Sequence, residues 1–130
     1  MLLALGVATP IAIDSAAPEV AVAQYAERAQ GTFVSLDGDT SVELFDSPAS
    51  LVDPEPSYNY IEHDLDRDAV FTLEFGEEAR TWVEDRHVYV WYRSEYRYFV
   101  AWQPADPDFI RVTIIDPNGV QIFNELFERE

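Results

Sequence analysis

The chain has 130 residues, with 25 Asp and Glu against 8 basic side chains, a formal net charge of −17, and no Cys. Lacking Cys, it has neither disulfides nor thiolate metal centres. Its negative charge opposes nucleic acid, whose phosphates it would repel, and an anionic membrane surface. Hydrophobic residues make up 48% and aromatics 14%, too much for a disordered chain, and the length suits one domain with a core of its own.

The first stretch, Met1–Ile13, alternates bulky and small side chains. Leu3, Leu5, Val7, Thr9, Ile11 and Ile13 fall on one parity, and Ala4, Gly6, Ala8, Pro10 and Ala12 on the other. A period of two predicts a strand with one bulky and one nearly bare face. Three readings compete. One is the apolar core of a signal peptide, with Ala21-Val22-Ala23 as an A-x-A cleavage site, although no Lys or Arg precedes the run. A second is a donor strand that adds to a sheet edge of a neighbouring copy; Pro10 fits, since a strand paired on one side can lose an N–H. The third is a membrane helix, for which 13 residues are too short against a core of ~30 Å.

Asp14 or Ser15 can cap a helix, and Pro18 suits its first turn. Pro18–Gln30 is therefore expected as a short helix closed by Gly31, or else as a linker. The domain proper is expected over 32–130. Thr32–Leu36 and Thr40–Phe45 read as strands joined through Asp37-Gly38-Asp39. Asp46–Ser57, with Pro48, Pro54 and Pro56, reads as a loop. Tyr58–Ile61 is a short strand and Glu62–Asp68 an acidic connection. Val70–Phe75 places Phe71, Leu73 and Phe75 inward. Gly76-Glu77-Glu78 is a turn before a strand at Ala79–Glu84. His87–Arg93 and Tyr96–Trp102 meet at Ser94-Glu95, and Phe109–Ile115 and Val120–Phe127 flank Asp116-Pro117-Asn118-Gly119, where Asn118-Gly119 is the strongest hairpin signal in the chain. Eight or nine short strands predict an all-β fold, an antiparallel β-sandwich of jelly-roll or immunoglobulin-like type carrying an extended apolar N-terminal segment.

Two constellations stand out. Trp82–Trp102 is rich in aromatics and Arg, and both faces of its strands carry aromatics. The face with Trp82, Arg86, Tyr89, Trp91 and Arg93 reads as ordinary strand residues, as a subunit contact, or as a platform for sugars. Asp64, Asp66 and Asp68 form D-x-D-x-D, which can converge on Ca²⁺. The spacing departs from an EF-hand loop: Ala69 stands where Gly is required, and Phe75 where the bidentate Glu should be. A solvated acidic loop is the plainer reading. The two histidines, His63 and His87, sit in no zinc spacing, and no nucleophile elbow, phosphate loop or dinucleotide fingerprint occurs. No catalytic residue and no enzyme activity is expected.

The acidic, Lys-free composition resembles that of haloarchaeal proteins, whose carboxylate-rich surfaces stay hydrated in molar salt, where the Debye length is ~3 Å. The resemblance implies a habitat rather than a function. The layout is similar to that of donor-strand-exchange pili and other surface filaments. It implies an extracellular structural subunit whose partners are copies of itself, with no nucleic acid and, in the mature form, no membrane. A virion coat protein fits the same pattern, and a secreted binding module for carbohydrate or Ca²⁺ is the alternative from a different class.

Overall fold

The computed structural model describes residues 28–130 except 53 and 82. The expectations for Met1–Ile13, nearly all of the Pro18–Gln30 helix, and Trp82 lie outside the described residues. Among the described residues there are nine strands: β1 (Gly31–Ser35), β2 (Thr40–Ser47), β3 (Ser57–Asp64), β4 (Ala69–Leu73), β5 (Glu77–Ala79), β6 (His87–Arg93), β7 (Tyr96–Trp102), β8 (Phe109–Ile115) and β9 (Gln121–Arg129). All pair antiparallel, in the order β4-β3-β2-β1-β9-β8-β7-β6-β5. The all-β expectation therefore holds. One continuous, strongly curled sheet contains all nine strands, and the two separately hydrogen-bonded sheets of a sandwich are not confirmed.

Sequence order and spatial order agree except at two places. The first and last strands, β1 and β9, lie side by side through Ser35↔Phe127, Val34↔Glu128 and Phe33↔Arg129. The consecutive strands β4 and β5 lie at opposite edges. The sheet is thus two meanders, β1–β4 and β5–β9, joined edge to edge. Arg129 fastens the joint. Its Nη1 donates to the Gln30 carbonyl at 2.6 Å and its Nη2 to the Pro107 carbonyl at 2.9 Å. Its Nε meets Asp108 at 3.1 Å, and the guanidinium carbon lies 4.6 Å from the Phe33 ring centre. Gly31 does not close a helix; it opens β1 with φ of 115°, where a Cβ would overlap the Arg129 guanidinium.

Curling turns one face of the sheet inward on itself. Phe33, Val42, Leu44, Tyr60, Tyr89, Trp91, Val100, Ile110, Val112 and Phe127 are the largest fully buried side chains of that face. They follow the period of two along each strand: Phe33 on β1, Val42 and Leu44 on β2, Tyr58 and Tyr60 on β3, Val100 on β7, Ile110 and Val112 on β8. Rings from β3 and β4 pack directly on rings from β6 and β7. Tyr58 meets Tyr89 edge-on at 5.0 Å, Tyr60 meets Trp91 at 5.4 Å and Tyr98 at 5.7 Å, and Phe71 meets Tyr98 at 5.8 Å. Such pairs add ~0.5–1.5 kcal/mol each beyond their area.

The hairpins differ in how far their sequences announced them. Asp37-Gly38 turns β1 into β2 as its sequence predicts: Gly38 N–H donates to the Ser35 carbonyl at 2.9 Å, with φ of 81° at Gly38. Ser35 Oγ and the Asp39 N–H both donate to Asp37 Oδ1, which holds the Asp37 carboxyl below its usual range. Asn118-Gly119 does not form the expected two-residue turn. Gly119 N–H bonds the Asp116 carbonyl, so Pro117 and Asn118 occupy the centre of the turn, and only Gly119 is left-handed. Asp116 Oδ1 accepts the Asn118 and Val120 N–H groups, each at 2.9 Å. Pro117, with φ fixed near −65°, selects that arrangement. The mirror-image two-residue turn forms instead at Ser94-Glu95, both left-handed at φ of 48° and 69°.

Other boundaries shift. Strand β3 runs on through Glu62–Asp64, parts of the expected acidic connection, because Asp64 keeps its pairing to Thr40. Phe75 does not point inward; it is exposed, with φ of 62°, after β4 has ended at Leu73. Glu77-Glu78 is strand rather than turn, paired to Val90 and Tyr89, and the expected strand at Ala79–Glu84 ends at Ala79.

Left-handed backbone costs about 1–2 kcal/mol at a residue with a Cβ, and Asn-Gly is the pair that suits such a turn. Replacing Ser94→Asn together with Glu95→Gly is expected to stabilise the domain by about 1 kcal/mol. Thermal unfolding followed by circular dichroism should show a midpoint about 3–6 °C higher.

Candidate functional site

The sheet is open where β4 and β5 part, and the seam lies there. The Tyr58 carbonyl of β3 is the contact point across it. It accepts the Gly76 N–H at 2.8 Å, from the β4–β5 connection, and the Trp91 indole N–H at 2.9 Å, from β6. A carbonyl has two lone pairs and here both are used. Gly76 must be glycine, since a Cβ there would overlap the Trp91 indole. The Tyr58 hydroxyl donates to the Ala29 carbonyl, so the same residue also ties down the segment that leads into β1.

Beside the seam lies a cavity of about 530 Å³, bounded by Arg28, Asp46, Pro48, Pro56, Tyr58 and Phe75. Arg28 pairs with Asp46 at 3.0 Å and lies over the Tyr58 ring, 5.0 Å from its centre. The exposed Phe75 and the two prolines give the opening an apolar rim.

The two edges of the seam differ in chemistry. Among the described residues β4 pairs only with β3, and β5 only with β6. Strand β5 is three residues long and carries Glu77 and Glu78; short, charged edges resist further pairing. Strand β4 reads Ala-Val-Phe-Thr-Leu, five residues with no charge, and Val70 on it is 59% exposed. It has none of the charges or prolines that protect an edge.

Beyond the seam, inside the open end of the curl, Glu62 of β3 is held on the core face. The Tyr60 hydroxyl donates to its Oε1 at 2.6 Å. Burial raises the Glu62 carboxyl above its ordinary value of 4.5, with the Tyr60 hydroxyl and Arg93 acting in the opposite direction. Arg93 caps this end, its guanidinium carbon 3.9 Å from the centre of the Phe71 ring.

The residues singled out in the sequence fall apart as a surface. Tyr89 and Trp91 are each 1% exposed and belong to the core, so no interface or sugar platform can use them in the folded domain. The outward parity of β6 is Val88, Val90 and Tyr92, of which Tyr92 is exposed. Arg93 shares the core parity but reaches its open end, and Arg86 stands before β6 on the outside. Asp64, Asp66 and Asp68 do not converge. Asp64 Oδ1 accepts the Asp66 and Arg67 N–H groups, each at 3.1 Å, and Asp68 turns to His63 at 2.9 Å. Among the described residues no three His, Cys, Asp or Glu are placed to hold a metal ion. The donor residues Leu3, Leu5, Val7, Thr9, Ile11 and Ile13 lie outside the described residues. Reasoning from sequence missed the seam; its signals were Gly76 and an uncharged Ala69–Leu73 within a chain of net charge −17.

Two outcomes follow. Gly76→Ala is expected to cost about 1–3 kcal/mol in urea unfolding, because the indole at the seam must move. A buried carboxyl whose folded pKa is raised stabilises the fold below its unfolded pKa and loses that contribution as pH rises through the folded value. Glu62→Gln keeps an acceptor for Tyr60 without the charge, so the variant should be more stable than the parent at pH 7.5. Urea unfolding repeated at pH 4 should find the difference gone or much reduced. No family model, no curated protein and no solved structure matches this chain.

Proposed function

We propose that the chain is a structural subunit that assembles head to tail by strand addition, as in an extracellular filament of a halophile. The apolar N-terminal stretch of one copy would pair along β4 of the next. The observation that carries this reading is the uncharged edge strand Ala69–Leu73, unprotected beside an apolar opening at Phe75.

Donor and acceptor are matched in kind. Strand addition takes its affinity from main-chain hydrogen bonds and its specificity from alternate side chains. Met1–Ile13 has one bulky parity to offer, with five aliphatics, Leu3, Leu5, Val7, Ile11 and Ile13. At ~1.5–3 kcal/mol each, their burial amounts to roughly 10 kcal/mol before the cost of ordering. A head-to-tail contact that does not close on itself generates a fibre. Repulsion between copies of charge −17 opposes assembly in dilute buffer, and molar salt screens it.

The test is the solution mass in 2 M KCl, by light scattering, of the full chain beside a truncation lacking residues 1–17. A polymeric full chain and a folded, monomeric truncation are expected. Leu5→Asp with Val7→Asp should abolish the polymer, and so should Val70→Lys on the acceptor edge, with circular dichroism unchanged in both. A monomeric full chain, or a polymer indifferent to these substitutions, overturns the reading.

A further inference from the structure

A second pocket, of about 250 Å³, is lined by residues of β7, β8 and β9 together with Arg86 and the connection between β7 and β8. It opens where β7 ends and the connection to β8 begins. Arg86 stands immediately before β6, whose first residue His87 pairs with Trp102 at the end of β7. Arg111 of β8 pairs with Ala101 of β7 on one side and Leu126 of β9 on the other. The lining includes Arg86, Arg111, Asp106, Trp102, Phe109 and Leu126.

The pocket gathers two arginines, Arg86 and Arg111. Of the eight arginines, Arg28, Arg67 and Arg129 lie within 4.0 Å of a carboxylate. Arg93 and Arg97 lie over the Phe71 and Phe99 rings. With 25 acids in the chain, carboxylates are plentiful, yet among the described residues no ion pair joins Arg80, Arg86 or Arg111 to one. Asp106 lines the same pocket, and among the described residues it forms an ion pair with neither. Two guanidiniums and one carboxylate leave this lining with a charge of +1 on a molecule of −17.

The pocket is also held in shape. Arg111 Nη1 donates to Asn124 Oδ1 at 3.0 Å, which fixes the guanidinium and leaves its other N–H groups for a ligand. Thr113 Oγ1 donates to the same oxygen at 3.3 Å. Trp102 is locked by its indole N–H, which donates to the Pro107 carbonyl at 3.1 Å. Phe109 and Leu126 add apolar surface beside the two cations.

We infer that this pocket binds a small organic monoanion, a carboxylate on a single ring or branched apolar body. The two guanidiniums take the carboxylate, since the planar fork matches its two oxygens. The apolar body lies against Trp102, Phe109 and Leu126. The volume lies just below the usual range of ligand pockets (~300–1,000 Å³) and admits one ring rather than a chain of sugars. Asp106 excludes dianions and favours ligands that carry one negative charge.

The probe is phenylacetate, titrated into the full chain in 1 M KCl while the Trp102 indole N–H and the Arg111 Nε–H are followed by nuclear magnetic resonance. Both resonances should move together and saturate. Arg86→Gln and Arg111→Gln should each weaken binding at least fivefold, and Asp106→Asn should strengthen it. Acetate, lacking the ring, and phenylethylamine, with the opposite charge, should each bind at least tenfold more weakly. Should Arg111→Gln fail to fold, Arg86→Gln, which precedes β6, carries the comparison. Resonances that stay in place, or binding unchanged by the arginine substitutions, overturn the proposal. Equal binding of acetate overturns its apolar half.

Discussion

One carbonyl ties the two walls of the curled sheet together. Tyr58 belongs to β3 by its ladder with β2, yet its C=O accepts hydrogen bonds from Gly76 and from the indole of Trp91. A flat sheet of nine strands would leave its apolar face in water. Curling covers that face with itself, and the space between the two walls has to be filled at the density of a protein interior. Tyr58, Tyr60, Phe71, Tyr89, Trp91 and Tyr98 supply the volume. The glycine at 76 follows from the same demand, because the connection must run against the largest of these rings.

Local physics made much of the fold readable in advance. The strands expected at Thr40–Phe45, Tyr96–Trp102 and Phe109–Ile115 lie where their patterns put them, and Asp37-Gly38 gave a hairpin. The failures have identifiable causes. On β6 the two parities are Val88, Val90, Tyr92 and His87, Tyr89, Trp91, Arg93. Both are apolar enough to be core, and the choice was made by rings on β3, more than twenty residues away. Asn118-Gly119 lost to the preceding Asp116-Pro117, whose fixed φ and carboxylate acceptor favour a longer turn. The pairing of β1 with β9 has no local signal at all. Of the candidate site, the alternation of the N-terminal stretch was visible, but the place of Ala69–Leu73 at an edge follows from the strand order, which no local pattern carries.

Arginine in place of lysine matters to this architecture as well as to its surface. Arg129 reaches the Gln30 and Pro107 carbonyls and the Asp108 carboxylate at once while lying on Phe33. An ammonium group, with its charge concentrated at one point, cannot span those acceptors or stack on a ring in that way. Arg93 closes the other end of the core by the same stacking on Phe71. In a chain so acidic, few cations are available, and these two are placed where the curled sheet would otherwise expose its rings.

The joint between β1 and β9 rests on three residue pairs, and it connects parts of the chain almost as far apart as the described residues allow. Each meander on its own consists of neighbours in sequence, which find one another quickly. The encounter of β1 with β9 closes a loop around the entire domain, and its entropic cost is met only once both meanders have formed. The order of folding is therefore written into the strand order: two local halves first, their union last. Until that union the aromatic face of each half is uncovered, and the closure that costs most in chain entropy is also the one that removes it from water.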